Sequence, residues 1–253
     1  MLKRLAGLIP ASLKQSLPYR TVRSAYLFRD TDAYRHFRKR VRGGQQKRFA
    51  GYLATHAAPR LHIGCGKNPF DGWLNTDYYP DDPAILHLDA TTRFPLPDAS
   101  VELVFSEHMI EHLSLAGGMT MIDQCFRVLK PGGRLRISTP SMEALIAIYQ
   151  DPLKPAHVAY IDYHRDHWFT SPLPTPAMIF NDFYRNWGHL TIYDEATLRS
   201  LLERSGFVSI EPVTLGESGV EAFRGMENER RMPAGLLALV TIAFEVTKGR
   251  AAS

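Results

Sequence analysis

Residues 60–66 read Arg60-Leu61-His62-Ile63-Gly64-Cys65-Gly66: a short apolar strand that breaks into a Gly-x-Gly turn. Glycine lets the backbone reverse sharply and come close to a ligand, because no side chain stands in the way. Many such turns bind nothing, so the weight falls on the residues beyond it. Residues 73–79 read as a second strand with Asp77 near its end, and 85–88 as a brief third one running into Asp89-Ala90. The fourth is Val101-Glu102-Leu103-Val104-Phe105-Ser106, set up by the turn residues Pro97-Asp98. Residues 119–129 place Ile122, Cys125, Phe126 and Leu129 on one helical face. Lys130-Pro131-Gly132-Gly133 ends that helix, since proline cannot continue it and glycine supplies a left-handed turn. A fifth strand spans 134–138. Strands alternating with helices predict an α/β domain, doubly wound around a mainly parallel sheet.

The flanks differ from this body. Residues 1–48 carry 13 Lys and Arg against 2 Asp and Glu, a balance of +11, while the remainder carries 17 against 24, or −7. Residues 1–56 are therefore expected to form a basic helical arm ahead of a domain at 57–253. Within the arm, Leu2, Leu5, Leu8, Ile9, Leu13 and Leu17 follow helical spacing, with Pro10 as a divider. Two more helices are expected over 32–42 and 45–56, separated by Gly43-Gly44. A basic arm suits an anionic surface, either membrane lipid or nucleic acid. No apolar run reaches the roughly 20 residues of a membrane-spanning helix, and the N-terminal stretch lacks the features of a secretory signal. Two cysteines, with no Cys-x-x-Cys pair, favour a reducing compartment. The expectation is a cytoplasmic chain, with the arm as a peripheral contact at the inner face of the membrane.

Residues 151–187 hold 5 of the 17 prolines among many large rings, including Tyr160, Tyr163, Trp168, Phe183 and Trp187. A solvated linker would not carry so many aromatics, so 151–190 is expected to be an insertion folded over the domain as a substrate-selecting lid. Asp194 then caps a helix with Leu198, Leu201 and Leu202 on its inner face. Closing strands are expected near 207–213 and 237–246.

A carboxylate at the end of the second strand, Asp77, can accept hydrogen bonds from both hydroxyls of a ribose. Asp89 ends the third strand. Phe94-Pro95-Leu96-Pro97-Asp98-Ala99-Ser100 leads through the fourth strand to Ser106-Glu107-His108, and Arg127-Val128-Leu129-Lys130-Pro131-Gly132-Gly133 comes after it. In this order the motifs resemble those of the class I S-adenosylmethionine-dependent methyltransferases, over about residues 60–207. The chain looks closest to a bacterial subgroup of small methyltransferases that often accompany cell-surface polysaccharide genes. The resemblance implies a Rossmann-like fold with S-adenosylmethionine as cofactor. It sets Gly64, Cys65 and Gly66 beneath the methionine part, Asp77 at the ribose, and Asp89 and Ala90 at the adenine, with Tyr78 also among the cofactor-binding residues. Ser106, Glu107 and His108 would border the methyl-transfer chamber. Two features depart from the pattern. Asn68 stands where a third glycine is common, and Asp77 follows Gly66 by only 11 positions, against about 20 in dinucleotide-binding units. The first crossover helix is therefore very short or replaced by the loop Pro69-Phe70-Asp71-Gly72.

If the acceptor is a hydroxyl, a base near it assists the transfer, and histidine suits that task near neutrality. His108 lies just past the fourth strand, at the sheet edge where α/β ligands bind, and His189 closes the aromatic insertion. These two are the catalytic candidates. His112 is read as packing, and Glu107 and Glu111 as either helix caps or substrate contacts. His164 and His167, with Asp162 and Asp166 nearby, have a metal-like spacing but are read as lid or surface histidines, so no metal is expected. Cys65 is read as a small packing residue and not a nucleophile. The expected substrate is a glycan, a lipid-linked sugar or a small metabolite. A nucleic-acid methyltransferase is the main alternative, disfavoured by the acidic body. A non-catalytic cofactor-binding module and a nicotinamide-dependent oxidoreductase stand further back.

Overall fold

A computed structural model describes residues 32–168, 173, 175–227 and 231–249, with side chains from residue 44 onward. The leucine-rich helix expected around Pro10 lies outside the described residues. The chain divides into two units, 1–48 and 49–253. Helix α1 (Asp32–Thr55) runs unbroken through Gly43-Gly44, where the sequence predicts a stop. A glycine costs a helix interior only about 1 kcal/mol relative to alanine, and the Arg, Lys and Gln residues around this pair are good helix formers.

Seven strands form one sheet: β1 (Arg60–Ile63), β2 (Leu74–Asp77), β3 (Leu86–His87), β4 (Val101–Glu107), β5 (Leu129–Pro140), β6 (Phe207–Pro212) and β7 (Thr241–Lys248). Their order is β3-β2-β1-β4-β5-β7-β6. The first five are parallel, and β7 runs antiparallel to both β5 and β6. The order reverses between β1 and β4, the topological switch at which ligands bind in such sheets.

Successive strand residues face opposite sides, and β4 shows what each side packs against. Val104 joins the main core with Leu61, Ile63, Leu135 and Ile137, while Phe105 joins Trp73, Phe223 and Met226. The main core is closed by Met121, Ile122, Cys125 and Val128 of α2 (Leu115–Val128) and by Leu198, Leu201 and Leu202 of α6 (Glu195–Arg204). As predicted, Asp194 caps α6, its Oδ1 accepting from Thr197 N at 2.7 Å. The stop at Lys130-Pro131-Gly132-Gly133 takes a different form from the expected turn. Leu129 already pairs with Val101, and pairing resumes at Arg134 with Leu103, so residues 130–133 bulge out of β5. Gly132 takes the left-handed φ of 79°.

The insertion is more regular than its sequence suggests. It folds as α4 (Pro155–His167) and α5 (Pro176–Arg185) beside α3 (Met142–Gln150) and α7 (Leu236–Leu239), around Leu145, Ile148, Tyr160, Ile179 and Phe183. Pro155 and Pro176 stand at the first turns of their helices, where the missing N–H has no intrahelical acceptor to lose. The closing stretch expected as one strand over 237–246 divides into α7 and β7.

No helix forms between β1 and β2. Asn75 holds the replacing loop: its Oδ1 accepts from Phe70 N at 2.9 Å, and its Nδ2 donates to Phe70 O at 2.8 Å and Trp73 O at 3.2 Å. His62 completes this tie, with Nδ1 3.2 Å from Asn75 Oδ1 and its ring stacked on Phe70 at 4.6 Å. Burial pushes the His62 imidazole down to about 4, against the raising effect of Asn75. The unfolded chain therefore takes up a proton near pH 6.5 that the fold refuses until about pH 4, so stability is lost as pH falls through that window. We expect His62→Phe to remove about 2 kcal/mol of the stability difference between pH 7 and pH 5. Urea unfolding of both proteins at the two pH values measures it, and equal differences would show that His62 titrates normally.

Candidate active site

The turn after β1 and the ends of β2, β3 and β4 meet along one edge of the sheet. Gly64 and Gly66 have φ of 71° and 52°. A Cβ on Gly64 would stand 2.5 Å from Met109 Cγ, so the turn and the segment after β4 approach as closely as a bare backbone allows. Cys65 N donates to Thr76 O at 3.0 Å, which fixes the turn to the neighbouring strand. The Cys65 side chain is buried, and burial, with the charge of Asp77, pushes its thiol up to about 12. It packs and does not react at neutral pH.

Asp77 links the two strand ends. Its Oδ2 accepts from Gly66 N at 3.0 Å and its Oδ1 from Tyr79 N at 2.7 Å. Each carboxylate oxygen keeps a further lone pair for a ligand hydroxyl. Tyr78, half-buried, packs edge-on to the exposed Tyr79 with ring centroids 4.6 Å apart. Leu88 N donates to Asp77 O at 2.9 Å, which carries the edge across to β3. There Asp89 Oδ1 accepts from Thr91 N at 3.0 Å and Thr91 Oγ1 at 2.6 Å, and Ala90 is buried behind it. Ser106 lies fully inside the sheet, its Oγ without a hydrogen-bond partner among the described residues. Glu107 Oε1 faces Arg231 Nη2 at 3.0 Å.

Past β4 the chain forms a second group of polar side chains. His108 has a left-handed φ of 46°, rare for a residue with a Cβ. Its Nε2 lies 3.0 Å from Thr241 Oγ1 on β7, and its Nδ1 lies 3.4 Å from Glu111 Oε1. Glu111, in a 3-10 turn over Ile110–His112, is completely buried. Its Oε2 accepts from Thr139 Oγ1 at 3.0 Å, and its carbonyl accepts from Leu190 N and Thr191 N. Burial alone would raise the Glu111 carboxyl, but His108 and the nearby His112 hold it below the ordinary range. Those two backbone bonds bring His189 in from beyond α5, its ring centroid 4.9 Å from that of His112. His189 Nδ1 lies 2.8 Å from Phe183 O, and burial lowers its pKa against the raising effect of Glu111. The bond to Phe183 O occupies Nδ1, so Nε2 is the ring nitrogen it leaves over.

Both sequence candidates, His108 and His189, reach this group, and Met109 joins it to the glycine turn. For Glu111, at the centre of the group, the sequence does not choose between cap and substrate contact, and for His112 it points to packing. The available signal is the run His108-Met109-Ile110-Glu111-His112, which sets histidine, glutamate and histidine within two helical turns. His164 and His167 stay apart from it. His164 Nε2 pairs with Asp182 Oδ2 at 3.0 Å inside the lid, and His167 Nδ1 lies 2.9 Å from Tyr163 O.

A mainly parallel, Rossmann-like sheet with a glycine turn and an acidic residue on adjacent strand ends is a nucleotide-binding architecture. Residues 71–137 match the Methyltransferase domain family, from the loop before β2 into β5. A protein of Mycolicibacterium smegmatis named "Probable S-adenosylmethionine-dependent methyltransferase" is 43% identical over 65 residues, 26% of this chain and 24% of that protein. The chain therefore spans about a quarter of the curated relative it matches. Among solved structures, a SAM-dependent methyltransferase from Archaeoglobus fulgidus is 19% identical with a TM-score of 0.45, covering 86% of this chain and 100% of that one. One from Thermotoga maritima is 16% identical with a TM-score of 0.44, covering 85% and 96%.

Proposed function

We propose that this chain is an S-adenosylmethionine-dependent methyltransferase acting on a hydroxyl of a glycan, a lipid-linked sugar or a small metabolite. The observation that carries the reading is Asp77, whose carboxylate binds Gly66 N and Tyr79 N and so joins the glycine turn to the end of β2. In this reading the turn 64–66 lies under the methionine part, Asp77 and Tyr78 take the ribose, and Asp89 with Ala90 takes the adenine. Ser106 and Glu107 back the chamber from the end of β4. The match of residues 71–137 to a methyltransferase domain supports the same assignment.

Methyl transfer is an in-line displacement: the acceptor oxygen bonds to the methyl carbon as the carbon–sulfur bond breaks, and the sulfonium leaves as a neutral thioether. The donor carries the driving force, so the protein's task is alignment and exclusion of water. His108 takes the acceptor's proton, with His189 the alternative base. The lid supports an acceptor with an apolar face, since Tyr184 and Trp187, with Tyr149 of the neighbouring α3, expose 47%, 43% and 58% of their surface, and rings suit the faces of sugars. Among the described residues no helix is long and apolar enough to cross a membrane. A lipid-linked acceptor would instead be met through the basic arm at the inner membrane face. Calorimetric titration with S-adenosylmethionine, S-adenosylhomocysteine and NAD tests the reading. Binding of the first two and not the third is expected, and the absence of both would overturn it.

A further inference from the structure

We propose that Glu111, His112 and His189 form a binding site for one divalent transition-metal ion of the zinc type. One ligand atom from each of the three lies within 4.8 Å of the others. Two imidazoles and a carboxylate are a donor set found in open, catalytic zinc sites, where a fourth position is left for water or substrate. Donor atoms around a tetrahedral zinc stand about 3.3 Å apart, so modest side-chain rotation would close the set. Imidazole donors favour zinc and its neighbours over magnesium or calcium.

Three further observations point to an ion. Glu111 is completely buried, yet its Oε1 has no hydrogen-bond partner, and His108 Nδ1 at 3.4 Å makes only a long ion-pair contact. A buried carboxylate oxygen met only by one long contact is costly, and a cation placed against it would offset that cost. Thr139 holds the other oxygen and so fixes the direction of the carboxylate. His189 bonds the Phe183 carbonyl through Nδ1, the outer-shell contact that orients a ligating imidazole and leaves Nε2 to the metal. His112 makes no hydrogen bond through its ring among the described residues, although it stands edge-on to His189.

His108 stands beside the site, its Nδ1 3.4 Å from Glu111 Oε1, and Met109 packs against Gly64 of the glycine turn. An acceptor hydroxyl bound to the ion would lose its proton more easily, as metal-bound water does. That role rests on the methyltransferase reading, whereas the binding of the ion does not.

The test is calorimetric titration of chelator-stripped full chain with Zn²⁺, alongside His112→Ala and His189→Ala, with circular dichroism to verify folding. We expect one Zn²⁺ per wild-type chain and at least a tenfold weaker affinity in each folded variant. No stoichiometric binding, or binding unchanged in both variants, would overturn the site. A parallel titration with S-adenosylhomocysteine separates the two ideas. Its binding to a chain that takes up no Zn²⁺ would sink the metal site and leave the cofactor assignment standing. Zn²⁺ uptake without it would do the reverse.

Discussion

Arg136→Met is expected to cost about 3–5 kcal/mol of folding stability, the range for removing one partner of a buried ion pair. Arg136 sits in the middle of β5, fully buried, with Nε on Glu227 and Nη1 on Glu245 Oε1 at 2.6 Å. Two further donors are used on carbonyls, Nη1 on Glu217 O at 2.7 Å and Nη2 on Thr214 O at 3.0 Å. Methionine fills similar space but leaves the buried Glu227 without its cation and Glu245 with only the 3.5 Å contact to Arg134 Nη1. It also releases the segment 214–227, which β5 otherwise holds against the sheet and which carries Phe223 and Met226 into the cluster around Trp73. The two glutamates raise the guanidinium's pKa against the effect of burial, so the arginine is charged at every accessible pH. The cost comes from leaving charges unpaired, so Arg136→Met combined with Glu227→Gln and Glu245→Gln should recover much of it. Urea unfolding at pH 7 reads both variants. A loss below about 1 kcal/mol in the single variant would mean that water or rearrangement already solvates the carboxylates.

This triad marks where sequence reading stops. Arg134 and Arg136 alternate along a strand and look like one polar face, because nothing local says that carboxylates from residues 227 and 245 close over them. The parallel strands β1 to β5 were legible from the turn residues that bound them and from the apolar residues of β1 and β4, which fit a sheet covered on both faces, whereas β2 reads Leu-Asn-Thr-Asp. The lid helices were not, because Pro155 and Pro176 break a pattern when read alone and start a helix when read as first-turn residues. Closure of the sheet was half legible: 237–246 is apolar except for Thr241 and Glu245, and only Gly235, at φ 81°, and the short α7 after it separate helix from strand. At the site, the glycine turn, Asp77 and Asp89 follow successive strands that the pattern predicts, and the structure sets those strands side by side. The grouping of Glu111 with His189 depends on the backbone of residues 190 and 191 bonding to the Glu111 carbonyl, a contact that spacing cannot announce.

Asp77→Ala should weaken S-adenosylhomocysteine binding by about 100- to 1000-fold, or roughly 3–4 kcal/mol. Hydrogen bonds to a charged group contribute about 1.5–3 kcal/mol each, and in the proposed complex the carboxylate accepts from both ribose hydroxyls. It also holds the turn itself, since Gly66 N and Tyr79 N lose their acceptor when it goes. Asp77→Asn separates these two contributions. Its single amide oxygen can keep one of the backbone bonds, but it brings no negative charge and places an N–H donor where the other oxygen stood. If the ribose contacts dominate, Asn should bind nearly as weakly as Ala. If the tether to Gly66 dominates, Asn should fall well short of the alanine loss. Thermal unfolding of both variants in the absence of ligand separates either outcome from general destabilisation, since Asp77 is half-buried at a strand end and outside the hydrophobic core. Affinity within threefold of wild type in Asp77→Ala would remove Asp77 from the cofactor site, and with it the observation on which the proposed function rests.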